Sequence, residues 1–276
     1  MVIQKNQGQL GNKLLISAHA IAYCLSQGEA LLNFTLLDEA SYFDLYNFRK
    51  KNIYIIKNSW VQYVFNFIIQ IVQKLTYWLL NYRIFEIHRV GWIHSEIREI
   101  KSRQAPLFIL EGEGFRSTND LRDQATLIRH LFTPKWQYNT KIKNIIGSIS
   151  KDNDVLIGIH LRRGDYNKWQ GGKYYYDNQT YMHFIQQLRS MFVGQNIKFI
   201  LCSDEIIDTA YFSDDDMYIS TQDMIIDLYL LASCDYLIGP PSTFSGWASF
   251  YANIPLYVIE SKDVNIHLKN FKQYTL

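Results

Sequence analysis

Apolar residues recur along this chain in short uninterrupted runs and in longer stretches spaced by three or four residues. Short runs rich in β-branched residues are typical of buried strands, whereas the wider spacing is typical of helices. In the second half of the chain the two patterns alternate, which predicts a parallel sheet with helices on both faces. The predicted strands there are 155–161, 197–202, 217–220, 235–238 and 255–259, and the predicted helices are 180–192, 205–211, 223–233 and 243–252.

The first half opens with a predicted strand, helix and strand. Val2 and Ile3 begin the first strand, 30–34 is the second, and the helix between them is predicted to start with Asn12 as its N-cap. Gly8 and Gly11 frame the turn before this helix, where backbone N–H groups can face an anion or a sugar. A tight strand-to-helix turn without a ligand explains the two glycines equally well.

A polar loop follows the compact predicted strand 107–110. It contains Glu111, Glu113 and Arg116, and a helix capped by Asn119 or Asp120 follows it as far as about Phe132. Because loops at strand ends of α/β domains face the ligand cleft, these three charged residues are candidates for an acceptor site. A solvated turn is the alternative.

The segment 60–82 is the most apolar helix candidate, and its few polar residues fall on one narrow stripe. These polar residues interrupt the run of about 20 apolar residues that a bilayer-spanning helix requires. Two interpretations remain: a largely buried helix, which is the commoner source of such a stripe, or a helix resting on a membrane surface. Basic residues on both sides favour contact with anionic lipid in the second case.

Bulk composition limits the function classes. The chain of 276 residues is 48% hydrophobic, enough for two domains, and a polar break at 151–154 divides it into 1–150 and 151–276. A formal net charge of +2 from 28 basic and 26 acidic residues argues against nucleic-acid binding. Three cysteines without metal-ligand or redox spacing, and an N-terminus without the pattern of a signal peptide, favour a cytoplasmic protein with reduced thiols.

Candidate chemistry is concentrated where the predicted strand 155–161 ends. That strand contains His160 and is followed by Arg162, Arg163, Gly164 and Asp165. Open α/β sheets bind ligands at the carboxyl ends of their strands, and the planar guanidinium group pairs well with phosphate oxygens. The pattern therefore predicts an anionic ligand, with a diphosphate as the best match. Two surface arginines with no ligand are the alternative.

A second polar cluster follows the predicted strand 235–238. Ser242, Thr243 and Ser245 begin a helix there, and helix N-termini rich in hydroxyl groups suit phosphate binding. Plain N-capping by Ser242 or Thr243 is the alternative. Two anion-binding strand ends in one domain strengthen the prediction of a nucleotide diphosphate site.

At this point the chain resembles the α-1,2-fucosyltransferases, glycosyltransferase family 11, within the wider fucosyltransferase superfamily. The segment 160–166 resembles the family's HxRRGDY motif, and 227–238 followed by 242–248 resembles its later motif. Looser similarity links 8–12 to its N-terminal glycine turn and 111–116 to its mid-chain loop. Lys13, Gly239–Pro241 and Gly246 depart from the family pattern.

The resemblance implies a GT-B-like fold of two facing Rossmann-like domains, an N-terminal acceptor side and a C-terminal nucleotide-sugar domain. It further implies an inverting, metal-independent transfer with no cofactor beyond the GDP-sugar co-substrate. Arg162 would grip the diphosphate, and Asp165 would orient the arginines or act as base. The other donor-binding residues implied are His160, Arg163, Gly164, Asp227, Ser242, Thr243, Phe244 and Ser245; those on the acceptor side are Gly8, Gly11, Asn12, Glu113 and Arg116.

The expected activity is transfer of fucose from GDP-fucose to a glycan hydroxyl, with a surface-polysaccharide precursor as acceptor. If that acceptor is lipid-linked, the 60–82 helix would bring the enzyme to the inner face of the cytoplasmic membrane. Glu111, Glu113 and Asp165 remain alternatives for the general base. A transferase for another sugar nucleotide and a catalytically silent binding module are the rival hypotheses. Asp214–Asp216 resembles the DxD metal motif of other glycosyltransferases, but a solvated loop is the preferred interpretation.

Overall fold

The computed structural model describes residues 1–5, 8–45, 52–79, 85–89, 95–96, 107–112 and 114–274. The chain forms two compact units, Met1–Lys135 and Trp136–Thr275. The division therefore falls before helix α5 (Trp136–Ile149). The sequence analysis placed the boundary after this helix, near residue 150. Helix α5 packs against a helix of the second unit, which explains why it belongs there.

The first unit is built on a five-stranded parallel sheet. Its strands are β1 (Val2–Gln4), β2 (Leu31–Asn33), β3 (Ile53–Ile55), β4 (Phe85–Arg89) and β6 (Leu107–Glu111), in the order β3-β2-β1-β6-β4. A separate parallel pair joins β5 (Ser95–Glu96) to β7 (Phe115–Arg116). Its helices are α1 (Leu10–Gln27), α2 (Ser59–Leu79), α3 (Thr118–Asp123) and α4 (Ala125–Leu131).

The two faces of this sheet carry different helices. Ile3 and Ile109 form a buried cluster with Phe34 and with Ile69 of α2. The alternate residues of the same strands point the other way, because successive side chains of a strand alternate between faces. On that side Asn33 donates a hydrogen bond to Ser17 of α1, at 3.1 Å. The sheet is thus covered by α2 on one face and by α1 on the other.

Two predicted helix starts in this unit are wrong. Helix α1 begins at Leu10 with Gln9 at the N-cap, so Asn12 lies inside the first turn and does not cap it. The predicted helix to Phe132 begins at Thr118 and is interrupted at Gln124, where the backbone leaves helical geometry. The position before it, Ser117, donates its hydroxyl to Asp120 at 2.5 Å, a pairing between side chains that a capping rule does not anticipate.

The second unit contains the alternating pattern predicted from the sequence. Its strands are β8 (Val155–Leu161), β9 (Ile197–Ser203), β10 (Met217–Ile219), β11 (Tyr236–Gly239), β12 (Pro255–Val258) and β13 (Lys272–Gln273), in the order β10-β9-β8-β11-β12-β13. All neighbours are parallel except β12 and β13. Besides α5, its helices are α6 (Asn178–Met191), α7 (Met224–Leu231) and α8 (Thr243–Ala252).

Helices lie on both faces of the second sheet, as predicted. Ile157, Ile159 and Leu161 of β8 share a buried cluster with Phe184 of α6. The intervening Gly158 faces the other side, where an added Cβ would lie 2.9 Å from Leu231 of α7 and 2.6 Å from Leu237 of β11. Glycine is required here because these neighbours already fill the space.

The predicted helix 205–211 is wrong. This segment contains bends and turns, in which Asp208 accepts a hydrogen bond from the backbone N–H of Ala210 at 3.1 Å. Ser203 similarly accepts one from Glu205 at 3.1 Å. Short polar side chains that bind nearby N–H groups compete with helix formation, which explains the turns.

Candidate functional site

The centre of the second sheet is its topological switch point. Counted along the second unit, the strands lie in the order third, second, first, fourth and fifth, so the chain reverses its direction of progress between β8 and β11. Ligands of doubly wound folds bind outside the carboxyl ends of the two strands at such a point. The segments after β8 and β11 are those in which the sequence placed the arginine and hydroxyl clusters.

Arg162 is held in place immediately after β8 by two carboxylates. Its guanidinium lies 2.6 Å from Asp165 and 2.7 Å from Asp204, and its Cζ lies 5.3 Å from the centre of the Tyr166 ring. The side chain keeps a partly exposed surface. A planar cation fixed on two sides is preorganised for a further anion, because little rotamer freedom remains to be lost on binding.

Asp204 binds both residues that follow β8, Arg162 and Arg163, and the sequence analysis did not single it out. One carboxylate oxygen accepts a 2.8 Å hydrogen bond from the backbone N–H of Arg163, while the other pairs with Arg162. A Cβ on Gly164 would lie 2.5 Å from that second oxygen, so a side chain at this position would force the carboxylate to shift. The available signal was that Asp204 directly follows β9, the neighbour of β8 in the sheet.

The side chain of Arg163 contacts a different set of residues from that of Arg162. It is buried, donates to the carbonyl of Tyr176 at 3.1 Å and to Asn178 at 2.5 Å, and lies over the ring of Tyr181. These contacts tie the segment before α6 to the end of β8. The side chain of Arg163 is thus occupied by contacts within the protein, whereas that of Arg162 keeps a partly exposed surface. Donor binding by the two arginines stays a prediction.

Tyr166 connects the two strand ends. Its hydroxyl donates to the carbonyl of Pro241, in the turn after β11, and burial raises the pKa of Tyr166 to about 12. It therefore stays protonated and able to donate at neutral pH. Its ring also stacks near Trp169, with 4.8 Å between ring centres.

His160 and Phe244 lie on the same side of the sheet. Their ring centres are 5.1 Å apart, and burial, with a smaller contribution from the charge of Arg162, lowers the pKa of His160 to about 3. The histidine is therefore neutral at physiological pH. Within the described part of the chain its buried Nδ1 has no hydrogen-bond partner, which leaves one polar atom of the predicted site unused.

Asp227 lies in the first turn of α7 and is buried. Burial raises its pKa to about 6, and Ser220, which follows β10, donates its hydroxyl to the carboxylate and partly offsets that effect. Ser220 is a second residue that the sequence reading did not single out. The structure thus places Asp227 next to Ser220, after β10, and next to Cys202 of β9, which pairs with His160 of β8.

The N-terminus of α8 follows β11, as predicted. Ser242 is the N-cap and accepts a hydrogen bond from the N–H of Phe244 at 3.2 Å, so the capping interpretation of this serine is correct. Ser245 is buried and donates to the carbonyl of Ser242 at 3.3 Å. Helix α8 begins at Thr243, shortly after β11, so the positive end of its dipole lies near the switch point.

The candidates in the first unit are only partly described. Gly8, with a positive φ of 81°, precedes α1, while Gly11 is buried and Asn12 half-buried in its first turn. Arg116 donates to the carbonyl of Phe115 at 2.8 Å. Glu111 ends β6, whose sheet switches direction between β1 and β6. The side chain of Glu111 and the whole of Glu113 lie outside the described residues.

A buried polar cluster at the ends of β1 and β2 was not predicted. Asn33 donates to Gln4 at 2.9 Å and accepts from the N–H of Thr35 at 2.9 Å. Nearby, Lys13 and Glu39 form an ion pair at 2.7 Å, which gives a structural reason for the lysine that departs from the family pattern. No motif carries this cluster, so only the strand-end position of Gln4 and Asn33 could have indicated it.

Asp214 and Asp216 bind Arg189, at 2.8 and 2.6 Å, before β10. Their place at the amino end of the strand puts them at the opposite edge of the sheet from Arg162. Across the described residues, no group of three or more histidine, cysteine or acidic side chains is placed to hold a metal ion.

The second unit is thus a doubly wound α/β unit with a fixed arginine and a helix N-terminus at its switch point. A sequence model of glycosyl transferase family 11 matches residues 112–270, and the chain belongs to this family. No curated protein sequence matches it significantly.

Solved structures share the fold. One is the α-1,6-fucosyltransferase NodZ, in a structure soaked with GDP-fucose; another NodZ structure is from Bradyrhizobium. The soaked NodZ is 16% identical, with a TM-score of 0.60 over 98% of this chain and 96% of that one. A mutant FUT1 of Arabidopsis thaliana in complex with GDP is 12% identical, with a TM-score of 0.61 over 99% and 73%. POFUT1 in complex with GDP-fucose is 11% identical, with a TM-score of 0.56 over 92% and 93%. The predicted GT-B-like class with two parallel-sheet units is confirmed.

Proposed function

We propose that this glycosyltransferase transfers fucose from GDP-fucose to a hydroxyl of a glycan acceptor, with inversion and without a metal ion. Family membership supports sugar transfer, and the structures that share the fold include complexes with GDP and GDP-fucose. The geometry around Arg162 carries the proposal, because it supplies the one requirement common to such donors, a fixed cation for a diphosphate leaving group.

Arg162 would act on the bond that breaks. When the bond from the sugar C1 to the diphosphate oxygen breaks, its electron pair remains on the diphosphate, and the charge there grows. A guanidinium already oriented by Asp165 and Asp204 stabilises that charge without reorganising, which is the largest common contribution to enzymatic rate. The dipole end of α8 at Thr243 adds a second source of positive potential.

The nucleotide would use the remaining groups at the switch point. The neutral His160, whose buried Nδ1 has no hydrogen-bond partner among the described residues, offers a hydrogen bond without a competing charge. Phe244 stands over the imidazole and lines the same side. Asp227 would bind a hydroxyl or N–H of the nucleoside, with Ser220 holding its orientation.

The acceptor hydroxyl would attack C1 from the face opposite the diphosphate and lose its proton to a carboxylate. Asp165 is 59% exposed and already paired with Arg162, which favours an orienting role for it. Glu111 and Glu113 are the other carboxylates that the sequence offers for this step. We propose a surface-polysaccharide precursor with a terminal galactoside as acceptor, α-1,2 transfer, and a cytoplasmic location.

The test is a panel of GDP- and UDP-sugars, each incubated with the full chain and a set of galactoside acceptors in buffer with EDTA. We expect consumption of GDP-fucose alone and release of GDP in the presence of the chelator. Transfer from a different donor would establish the alternative transferase. Thermal stabilisation by GDP without consumption of any donor would identify a silent binding module and contradict the proposed reaction.

A further inference from the structure

Helix α2 packs by only one side. Ile69 is buried against Phe34 and Ile109, and the Phe65 ring lies 5.0 Å from that of Phe34. The opposite side is apolar and faces outward. Its large apolar exposed residues, called the outer face of α2 below, are Trp60, Val61, Tyr63, Phe67, Ile68, Ile71 and Leu75.

The exposure of this outer face is large. Trp60 is 70% exposed and Tyr63 is 71% exposed, and the other members follow them at helical spacing. Single exposed apolar residues are ordinary, but a contiguous aromatic and aliphatic stripe marks an interaction surface. Of the two interpretations of this helix, a largely buried helix does not describe this side of α2.

The basic residues around α2 indicate which partner this surface binds. Between positions 46 and 83 the sequence contains six lysine and arginine residues and no acidic residue. Of the basic residues in the described part of this region, Lys57 lies just before the helix and Lys74 near its end, and both are exposed. An apolar stripe with cations at both ends matches an anionic bilayer surface, where the side chains enter the interface and the ammonium groups meet lipid headgroups.

The helix would lie on the bilayer. Among the described residues, no helix combines the length and apolar character that crossing a membrane requires. From Trp60 to Leu75 the outer face extends about 23 Å at 1.5 Å per residue, so it can contact lipid over several helical turns. The aromatic residues Trp60 and Tyr63 at one end suit the headgroup region.

We propose that the outer face of α2 docks the protein on an anionic membrane surface. A second copy of the chain fits less well, because a two-fold contact through this face would bring two basic segments together without an acidic partner. The proposal does not depend on the donor or acceptor named above. It would, however, place the enzyme where a lipid-linked acceptor is found.

The experiment is co-sedimentation of the full chain with large vesicles of phosphatidylcholine alone or with phosphatidylglycerol at one third. We expect binding to the mixed vesicles that weakens as salt screens the lysines. Equal recovery in the supernatant with both vesicle types, at low salt, would overturn the proposal.

Two variants locate the contact. Trp60→Ser/Phe67→Ser should lower vesicle partitioning on the order of tenfold for each aromatic lost. The matched control, Trp136→Ser/Ile206→Ser, removes residues that are 80% and 99% exposed in the second unit, and it should bind like the wild type. Equal loss in both variants, or in neither, would contradict the assignment to α2.

A third variant guards against misfolding of the first. Lys57→Gln/Lys74→Gln changes only exposed charges and should reduce binding to mixed vesicles about fivefold per lysine. Light scattering of the wild type measures its oligomeric state and so tests self-association, the alternative use of this surface. A dimer that the Trp60→Ser/Phe67→Ser change converts to a monomer, together with no vesicle binding, would show a self-association surface and overturn membrane docking.

Discussion

At the scale of single residues, the candidate site depends on how one carboxylate is shared. Asp204 binds the side chain of Arg162 and the backbone of Arg163, and it occupies the space that a side chain at position 164 would need. The three consecutive residues 162–164 therefore owe their arrangement to a residue on the next strand. This explains why the RRG sequence works as a unit.

Replacing Asp204 by Asn should reduce the affinity for GDP about tenfold, because Arg162 loses one of the two charges that orient it. Isothermal calorimetry with GDP measures this change. Asp214→Asn is the control, since it also removes an aspartate from an arginine but at the opposite edge of the sheet. Equal losses in the two variants would contradict the assigned role of Asp204.

Gly164→Ala should lower the free energy of unfolding by about 1–3 kcal/mol, because its Cβ would lie 2.5 Å from Asp204. Gly147→Ala, in α5, has no neighbouring atom within 4 Å of the new Cβ and should stabilise by about 0.5–1 kcal/mol. Urea denaturation measures both. A neutral Gly164→Ala variant would show that Asp204 is free to move.

The sequence revealed Arg162 and the start of α8 because charged and hydroxyl residues stand out after apolar runs. It did not reveal Asp204 or Ser220, which sit after neighbouring strands and become relevant only once the strand order is known. It also could not distinguish the two arginines, since the contacts of Arg163 with Tyr181 and Asn178 follow from packing.

At the scale of elements, the ends of β8 and β11 are joined by side chains as well as by the sheet. Tyr166, in the turn after β8, donates to Pro241 in the turn after β11. The ring of the same tyrosine lies against the guanidinium of Arg162, with 5.3 Å between the ring centre and Cζ. Movement of one strand-end turn would therefore disturb the other.

Tyr166→Phe should cost about 1 kcal/mol of stability and also weaken GDP binding, because the two turns lose their connection. Tyr176→Phe removes a comparable buried bond, from its hydroxyl to Ile259 at 3.1 Å, and should cost similar stability with GDP affinity unchanged. Thermal denaturation and calorimetry separate the two effects. Unchanged GDP affinity in Tyr166→Phe would show that this connection has no part in donor binding.

Two buried titratable groups on β8 and α7 act on stability in opposite directions. The pKa of Asp227 is raised to about 6 by burial, so between pH 4 and 6 the native state holds a proton that the unfolded state has released, and stability falls as pH rises. The pKa of His160 is lowered to about 3, so the unfolded state holds the extra proton and stability rises over pH 3 to 6.5.

Asp227→Asn removes the first of these effects. Its stability relative to the wild type should therefore increase from pH 4 to 7, by up to about 3 kcal/mol for a shift of this size. Urea denaturation across that pH range measures the difference. A difference between variant and wild type that stays constant with pH would contradict a raised pKa at Asp227.

Most predicted elements of the second unit were found because its buried strands and amphipathic helices alternate regularly. The strands β3, β4, β5, β7 and β13 were missed. All of them except the five-residue β4 have only two or three residues, which carry no periodicity. The side of α2 that packs on the sheet could not be chosen from the sequence, because apolar residues cover most of that helix.

At the scale of the whole molecule, the chain places polar groups at the switch points of two separate sheets. In the second unit these are Arg162, its aspartates and the start of α8. In the first unit they are Gln4, Asn33 and the end of β6. The sequence predicted two α/β halves, but the boundary near 150 followed a polar break in the sequence, whereas the division in the structure follows the packing of α5.

The central claim is that Arg162 binds the diphosphate of the donor, and calorimetry of GDP with the full chain tests it most directly. We expect Arg162→Ala to abolish measurable binding. Arg189→Ala, which removes an arginine likewise held by two aspartates but at the opposite edge of the same sheet, should bind GDP like the wild type. Wild-type affinity in Arg162→Ala would contradict the account.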